Sequence, residues 1–211
     1  MNNIRNILPE ISKLKNICQS IAMLDAILMP DWEFRYYSFN SKWDKNEMMA
    51  SMRNGSGDSY FILLKEEGVI IKGFYHESPI VKITNKDKNI LKDIFDKIPK
   101  EFERFLNEPA FSINDCTFIF WRKNNDLFWN KSEFQIPCNE NNDGSIKLLS
   151  ILDGNPLTYK KWADEYYEKN IPFESINAIY EHNSITKDII HSLNNELTLD
   201  DIQADIKEIG Y

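Results

Sequence analysis

The stretch MRNGSGDSYFILL, residues 52–64, decides the fold of this chain. Its first half contains two glycines and an asparagine, residue types that adopt the positive φ angles of tight turns. Its second half, 60–64, is apolar on both alternating faces, which is typical of a strand covered on both sides. The stretch therefore predicts a turn that leads into a central β-strand.

Three further segments around this strand are rich in aromatic and β-branched residues. They are 33–39, 47–53 and 69–75, and residues 66–68 (Glu-Glu-Gly) supply a second turn. Segment 47–53 also suits a helix, because methionine and alanine are good helix formers. With a fifth strand over 117–123, the pattern predicts an antiparallel meander of four to six strands.

Helical patterns flank the predicted sheet on both sides. Apolar residues recur at helical spacing from Glu10 to Met29, and shorter helical patterns cover 87–98 and 100–106. The polar segment 124–143 predicts a loop or hairpin, and the chain after it predicts helices, one of them capped at Asn155-Pro156. The fold class is therefore α+β, one domain over residues 1–211, with the sheet-containing part at about 1–139 and a helical part at about 140–211.

Charge is distributed unevenly along the chain. The net charge is −8, and residues 1–139 carry 19 basic and 19 acidic side chains, whereas residues 140–211 carry 6 and 14. This balance argues against a nucleic-acid groove, which needs clustered lysine and arginine. It favours a basic protein partner for the acidic helical part. The candidate partner-binding residues are Asp164, Glu165, Glu168, Asp200, Asp201 and Asp205.

Cysteine and histidine positions predict neither a metal site nor a cofactor. The three cysteines are widely spaced, and the three histidines lack the spacing of metal ligands. No signal peptide or membrane span is indicated, so the expected location is the cytoplasm. Oligomeric state and catalytic activity are not specified by any pattern.

Polar and aromatic side chains nevertheless cluster around the meander. The candidate ligand-binding residues are Arg35, Tyr37, Trp43, Arg53, Asp58 and His76. Two interpretations of Arg53 are open: it pairs with Asp58 across the turn, or it points with His76 into a pocket and binds an anion. The histidine is also a candidate general base near neutral pH.

Five segments resemble a widespread family of uncharacterised bacterial proteins. They are YYSFNSKWD (36–44), MASMRNGSGD (49–58), KGFYHE (72–77), FIFWR (118–122) and EIGY (208–211). The resemblance extends over nearly the whole chain and implies a bacterial, cytoplasmic, single-domain protein. It implies no activity, cofactor or catalytic residue.

Two functions from different classes are therefore expected. The first is a non-enzymatic binding or regulatory module that uses its acidic helices, for example a bacterial immunity protein that masks a basic toxin. The alternative is a small-molecule enzyme or ligand-binding protein with its site at one end of the meander.

Overall fold

The computed structural model describes residues 8–87, 89–134 and 142–211. It contains an N-terminal helix, a six-stranded antiparallel sheet in the order β1-β2-β3-β4-β5-β6, and C-terminal helices. Each strand neighbours the next one along the chain, so the predicted α+β meander is confirmed. None of the helices in the described part is long and apolar enough to span a bilayer.

The strands lie within a few residues of their predicted positions, except the first. They are β1 Tyr37–Asp44, β2 Glu47–Arg53, β3 Ser59–Lys65, β4 Gly68–Phe74, β5 Phe118–Lys123 and β6 Asn130–Lys131. Segment 47–53 is a strand rather than a helix. The first strand begins at Tyr37 instead of residue 33, because Trp32–Phe34 form a turn of 3-10 helix. The polar segment 124–143 contributes β6, and its residues 135–141 lie outside the described part.

The helices are α1 Ile11–Leu28, α2 Pro79–Lys86, α3 Asn89–Phe95, α4 Glu103–Leu106, α5 Ser145–Leu149, α6 Pro156–Tyr166, α7 Phe173–Tyr180, α8 Lys187–Leu193 and α9 Gln203–Ile209. Further 3-10 turns are Lys100–Phe102, Pro109–Phe111 and Ser150–Asp153. The prediction of α1 is confirmed to within one residue at each end. Helix α2 was not predicted, although Ser78 caps it and Pro79 occupies its first turn.

The chain divides into two compact units. The first unit comprises the described residues between Ser51 and Ser150. The second unit comprises residues 8–50 and 151–211. The division does not follow the predicted boundary near residue 140, because α1 and β1 belong with the C-terminal helices.

In the first unit, β3 and β4 form the centre of the core. Residues 60–64 are all buried, as the two-sided apolar pattern predicts, and β3 pairs with β4 so that Ile62 lies opposite Ile71. Each large apolar side chain buried in this way stabilises the fold by roughly 1.5–3 kcal/mol. Lys72 is also fully buried, and its Nζ donates to the carbonyl oxygens of Phe111 (2.9 Å) and Ser112 (3.1 Å). Burial lowers the pKa of this lysine.

In the second unit, Asp25 is buried completely on α1. Its Oδ2 accepts the main-chain N–H groups of Tyr36 (2.7 Å) and Tyr37 (2.8 Å), and its Oδ1 accepts the Tyr167 hydroxyl (2.7 Å). Burial raises the pKa of Asp25 to about 6, against the opposing effect of these hydrogen bonds. One carboxyl group thus fixes the chain entering β1 and the end of α6 to the same point of α1.

Residues 209–211 are also held against α1 and α7 in the second unit. The side-chain amide of Gln19 donates to the carbonyl oxygens of Ile209 (3.0 Å) and Gly210 (2.8 Å). The Tyr211 hydroxyl donates to the carbonyl oxygen of Ile179 (2.8 Å), and its ring stacks on His182 with 5.0 Å between centroids. The segment EIGY is therefore part of the packed structure.

Candidate functional site

The turn between β2 and β3 places Asp58 at the base of the candidate site. Asn54 organises this turn, because its Oδ1 accepts the main-chain N–H groups of Ser56 (2.9 Å) and Asp58 (3.0 Å). Gly55 and Gly57 adopt positive φ angles of 69° and 107°. These conformations are unfavourable for residues with a Cβ atom, which explains the two glycines.

Asp58 and His76 form the centre of the site in the first unit. The Nδ1 of His76 lies 2.6 Å from Oδ1 of Asp58, and the main-chain N–H of His76 donates to the same oxygen at 3.0 Å. The other carboxylate oxygen accepts the Asn54 side-chain amide at 2.8 Å. Burial raises the pKa of Asp58, but the hydrogen bonds from His76 and Asn54 outweigh burial and leave the pKa below its ordinary value.

This geometry fixes the roles of the two imidazole nitrogens. An ionised carboxylate only accepts hydrogen bonds, so Nδ1 of His76 carries a proton and donates it. In the neutral ring Nε2 is then the accepting nitrogen, and it has no partner among the described residues. The His76 side chain is 42% exposed, whereas that of Asp58 is 2% exposed. The pair thus orients a partly exposed imidazole, and a neutral imidazole held in this way can act as a general base.

A second polar group lies beside this pair. The Tyr75 hydroxyl donates to a carboxylate oxygen of Glu77, and the Lys147 ammonium lies 4.6 Å from the centre of the Tyr75 ring. The ring centroids of Tyr75 and His76 are 6.0 Å apart. Neither Tyr75 nor Lys147 was among the sequence candidates, because a contact between residues 72 positions apart leaves no local pattern.

Arg53 does not pair with Asp58. Among the described residues the Asp58 carboxylate contacts only Asn54 and His76, so the predicted cross-turn ion pair is wrong. The buried carboxylate already accepts three hydrogen bonds, from Asn54 in the turn and from His76 just after β4. Arg53 is exposed, and its guanidinium carbon lies 5.9 Å from the centre of the Phe61 ring.

The other three ligand candidates belong to the second unit. Arg35 donates to the carbonyl oxygens of Met29 (2.9 Å) and Pro30 (2.8 Å) and forms an ion pair with Asp205. Tyr37 is buried in an aromatic cluster with Tyr36 and Trp162. Trp43 is half-buried on β1. Arg35 is thus part of the internal structure of its unit.

The six acidic candidates, all in the second unit, fall into two groups. Asp164 accepts Lys160 (2.7 Å) and the main-chain N–H of Ile171, Asp201 accepts the main-chain N–H and hydroxyl of Thr198, and Asp205 pairs with Arg35. Because of these internal contacts, they are less available to a partner.

The remaining acidic candidates, Glu165, Glu168 and Asp200, are exposed and make no ion pair within the described part of the chain.

The two units differ in charge. Residues 8–50 and 151–211, which form the second unit, carry 10 basic and 18 acidic side chains, whereas the rest of the sequence, residues 1–7 and 51–150, carries 15 and 15. The entire net charge of −8 therefore belongs to the second unit.

Comparison with known proteins adds no relative: no family model, curated protein or solved structure matches the chain. Within the residues that the structure describes, no group of three or more histidine, cysteine, aspartate or glutamate side chains is placed to hold a metal ion. The candidate site therefore rests on its own geometry.

Proposed function

We propose that this protein is a non-enzymatic binding module whose second unit engages a basic protein partner in the bacterial cytoplasm. The observation that supports it is the concentration of the whole net charge of −8 on that unit. A surface of one sign attracts a partner of opposite sign over a Debye length, which speeds encounter and disfavours wrong partners. An immunity protein that masks a basic toxin is one instance of this function.

The exposed carboxylates Glu165, Glu168 and Asp200 are the residues through which we expect the partner to bind. Their carboxylates are available to a partner, whereas the other three acidic candidates form hydrogen bonds or an ion pair within the unit. We also propose, separately, that the protein belongs to the bacterial family that its sequence resembles.

Affinity capture from the native cell, with this protein as bait, tests the function. The triple variant Glu165→Gln, Glu168→Gln, Asp200→Asn should lose the partner that the wild type retains. A matched control, Glu66→Gln, Asp93→Asn, Asp96→Asn, removes the same charge from exposed sites of the first unit and should retain it.

Salt provides the second arm of this experiment. Raising it from about 0.1 M to about 1 M shortens the Debye length from about 10 Å to about 3 Å, so the captured partner should be released. Equal recovery of one partner at both concentrations, or equal loss from the two triple variants, would remove the electrostatic basis of the proposal.

A second candidate function, a small-molecule enzyme or ligand-binding protein, is favoured by one observation. The buried Asp58 carboxylate orients the partly exposed His76 imidazole, and Arg53 lies in the same unit. A thermal-shift screen of small anions against the wild type, His76→Ala and Arg53→Ala tests it. A compound that raises the melting temperature of the wild type only would support this function. Equal shifts in all three proteins would count against it.

A further inference from the structure

A cavity of about 210 Å³ lies in the first unit, between the end of α3 and the edge of the sheet. Its lining residues are Ile94, Lys97, Trp121, Lys131, Ser132 and Glu133. The volume equals the share of roughly seven water molecules in the liquid, which is less than the roughly 300–1,000 Å³ of sites for drug-sized ligands. The cavity therefore suits a small metabolite.

The cavity wall contains a buried hydroxyl that has no hydrogen-bond partner among the described residues. Ser132 is only 7% exposed, and its hydroxyl is one of two buried side-chain groups in the described part without a hydrogen bond. Trp121 is half-buried, and its indole N–H is a further donor in the cavity wall. Phe120 pairs with Lys131, so strand alternation places Trp121 and Ser132 together on the opposite face. Buried polar groups normally have partners, and a ligand would supply one for the Ser132 hydroxyl.

The charged side chains of the cavity wall differ in whether they have partners within the protein. Lys97 and Glu133 are both exposed, and neither side chain forms an ion pair or hydrogen bond with another described residue. The ammonium group of Lys131, in contrast, is held by Asp143 (2.5 Å) and Ser145 (3.3 Å). One cation and one anion thus remain open at the same cavity.

We propose that this cavity binds a small zwitterion, namely a free α-amino acid with an apolar side chain. Lys97, Ser132 and the indole N–H of Trp121 bind its carboxylate, since all three donate hydrogen bonds. Glu133 binds its ammonium group. Ile94 and the Trp121 ring contact its side chain. This site lies outside the acidic unit and does not depend on the proposed function.

Calorimetric titration with three probes tests the proposal: L-leucine, N-acetyl-L-leucine and L-leucinamide. The second probe lacks the ammonium group and the third lacks the carboxylate. L-leucine should bind saturably, and each blocked analogue should bind at least about tenfold more weakly, which corresponds to about 1.4 kcal/mol.

Variants assign each charge of the probe to a residue. Glu133→Gln should abolish the preference for L-leucine over the N-acetyl form, and Lys97→Gln should abolish its preference over the amide. Ser132→Ala should weaken L-leucine binding, and the control Lys92→Gln, an exposed change on α3 outside the cavity, should leave it unchanged. Melting temperatures of all variants confirm that each is folded.

Three results would overturn the proposal. They are the absence of saturable L-leucine binding by the folded wild type, equal binding of the three probes, and unchanged preferences in Lys97→Gln and Glu133→Gln.

Discussion

Replacing Asp25 with asparagine should change how the free energy of unfolding depends on pH. The folded chain holds the Asp25 proton with a pKa of about 6, whereas an unfolded aspartate has a pKa of about 3.9. The folded state therefore binds this proton more tightly. Protonation of Asp25 therefore stabilises the fold fully below about pH 4, and this stabilisation is lost as pH rises through 6.

The magnitude follows from the shift in pKa. Two units correspond to about 3 kcal/mol, because each unit of differential proton affinity is worth about 1.4 kcal/mol. The side chain is fully buried, so solvent screening does not reduce this value much. Asparagine has nearly the shape of the neutral acid: its oxygen still accepts the two main-chain N–H groups, and its amide donates to the Tyr167 hydroxyl oxygen.

Urea unfolding of the wild type and Asp25→Asn at several pH values between about 4 and 7.5 measures the effect. The variant should gain about 2.4 kcal/mol of the full effect of about 3 kcal/mol relative to the wild type across this range, most of it between pH 4 and 6. Asp31→Asn, an exposed change after the same helix, should show no such trend. A flat difference curve, or a wild type that gains on the variant as pH rises, would refute the reasoning.

Three other perturbations test the packing of the two units. Asp58→Ala removes a buried acceptor of three hydrogen bonds, so urea unfolding should show a loss of about 2–3 kcal/mol, against less than about 0.5 for Ser56→Ala. Gly73→Ala places a methyl group 1.9 Å from the Phe118 ring and should cost about 1–3 kcal/mol; a double mutant with Phe118→Leu should recover part of it, and strictly additive losses would contradict the clash. Tyr211→Phe removes one hydroxyl that donates at 2.8 Å and should lower the free energy of unfolding by about 1 kcal/mol; no loss would show that the contact is not stabilising.

The sequence was sufficient to predict the fold because the relevant signals are local. The turn at 54–58 and the two-sided apolar run after it determine β3, and the helical period determines α1. Segment 47–53 was ambiguous, since its methionines suit either structure. Pairing within the sheet, which is a long-range effect, selects the strand.

The candidate site was only partly predictable, for the same physical reason. Asp58 and His76 were both expected at one end of the meander, but their mutual contact follows from the register of β3 and β4. Arg35 and Asp205 were assigned to two different candidate sites, and they pair with each other across 170 positions. Asp25 was not among the candidate residues, because the sequence of an apolar helix does not show which residues a single acid within it will contact.

Photo-crosslinking in the native cell tests the proposed function most directly. We would place p-benzoylphenylalanine at Leu199, which is 37% exposed beside Asp200 in the second unit, or at Phe128, which is 56% exposed in the first. We predict that position 199 yields an adduct with a basic protein and that position 128 does not. No adduct from position 199, or the same adducts from both positions, would contradict a partner-binding surface on the acidic unit.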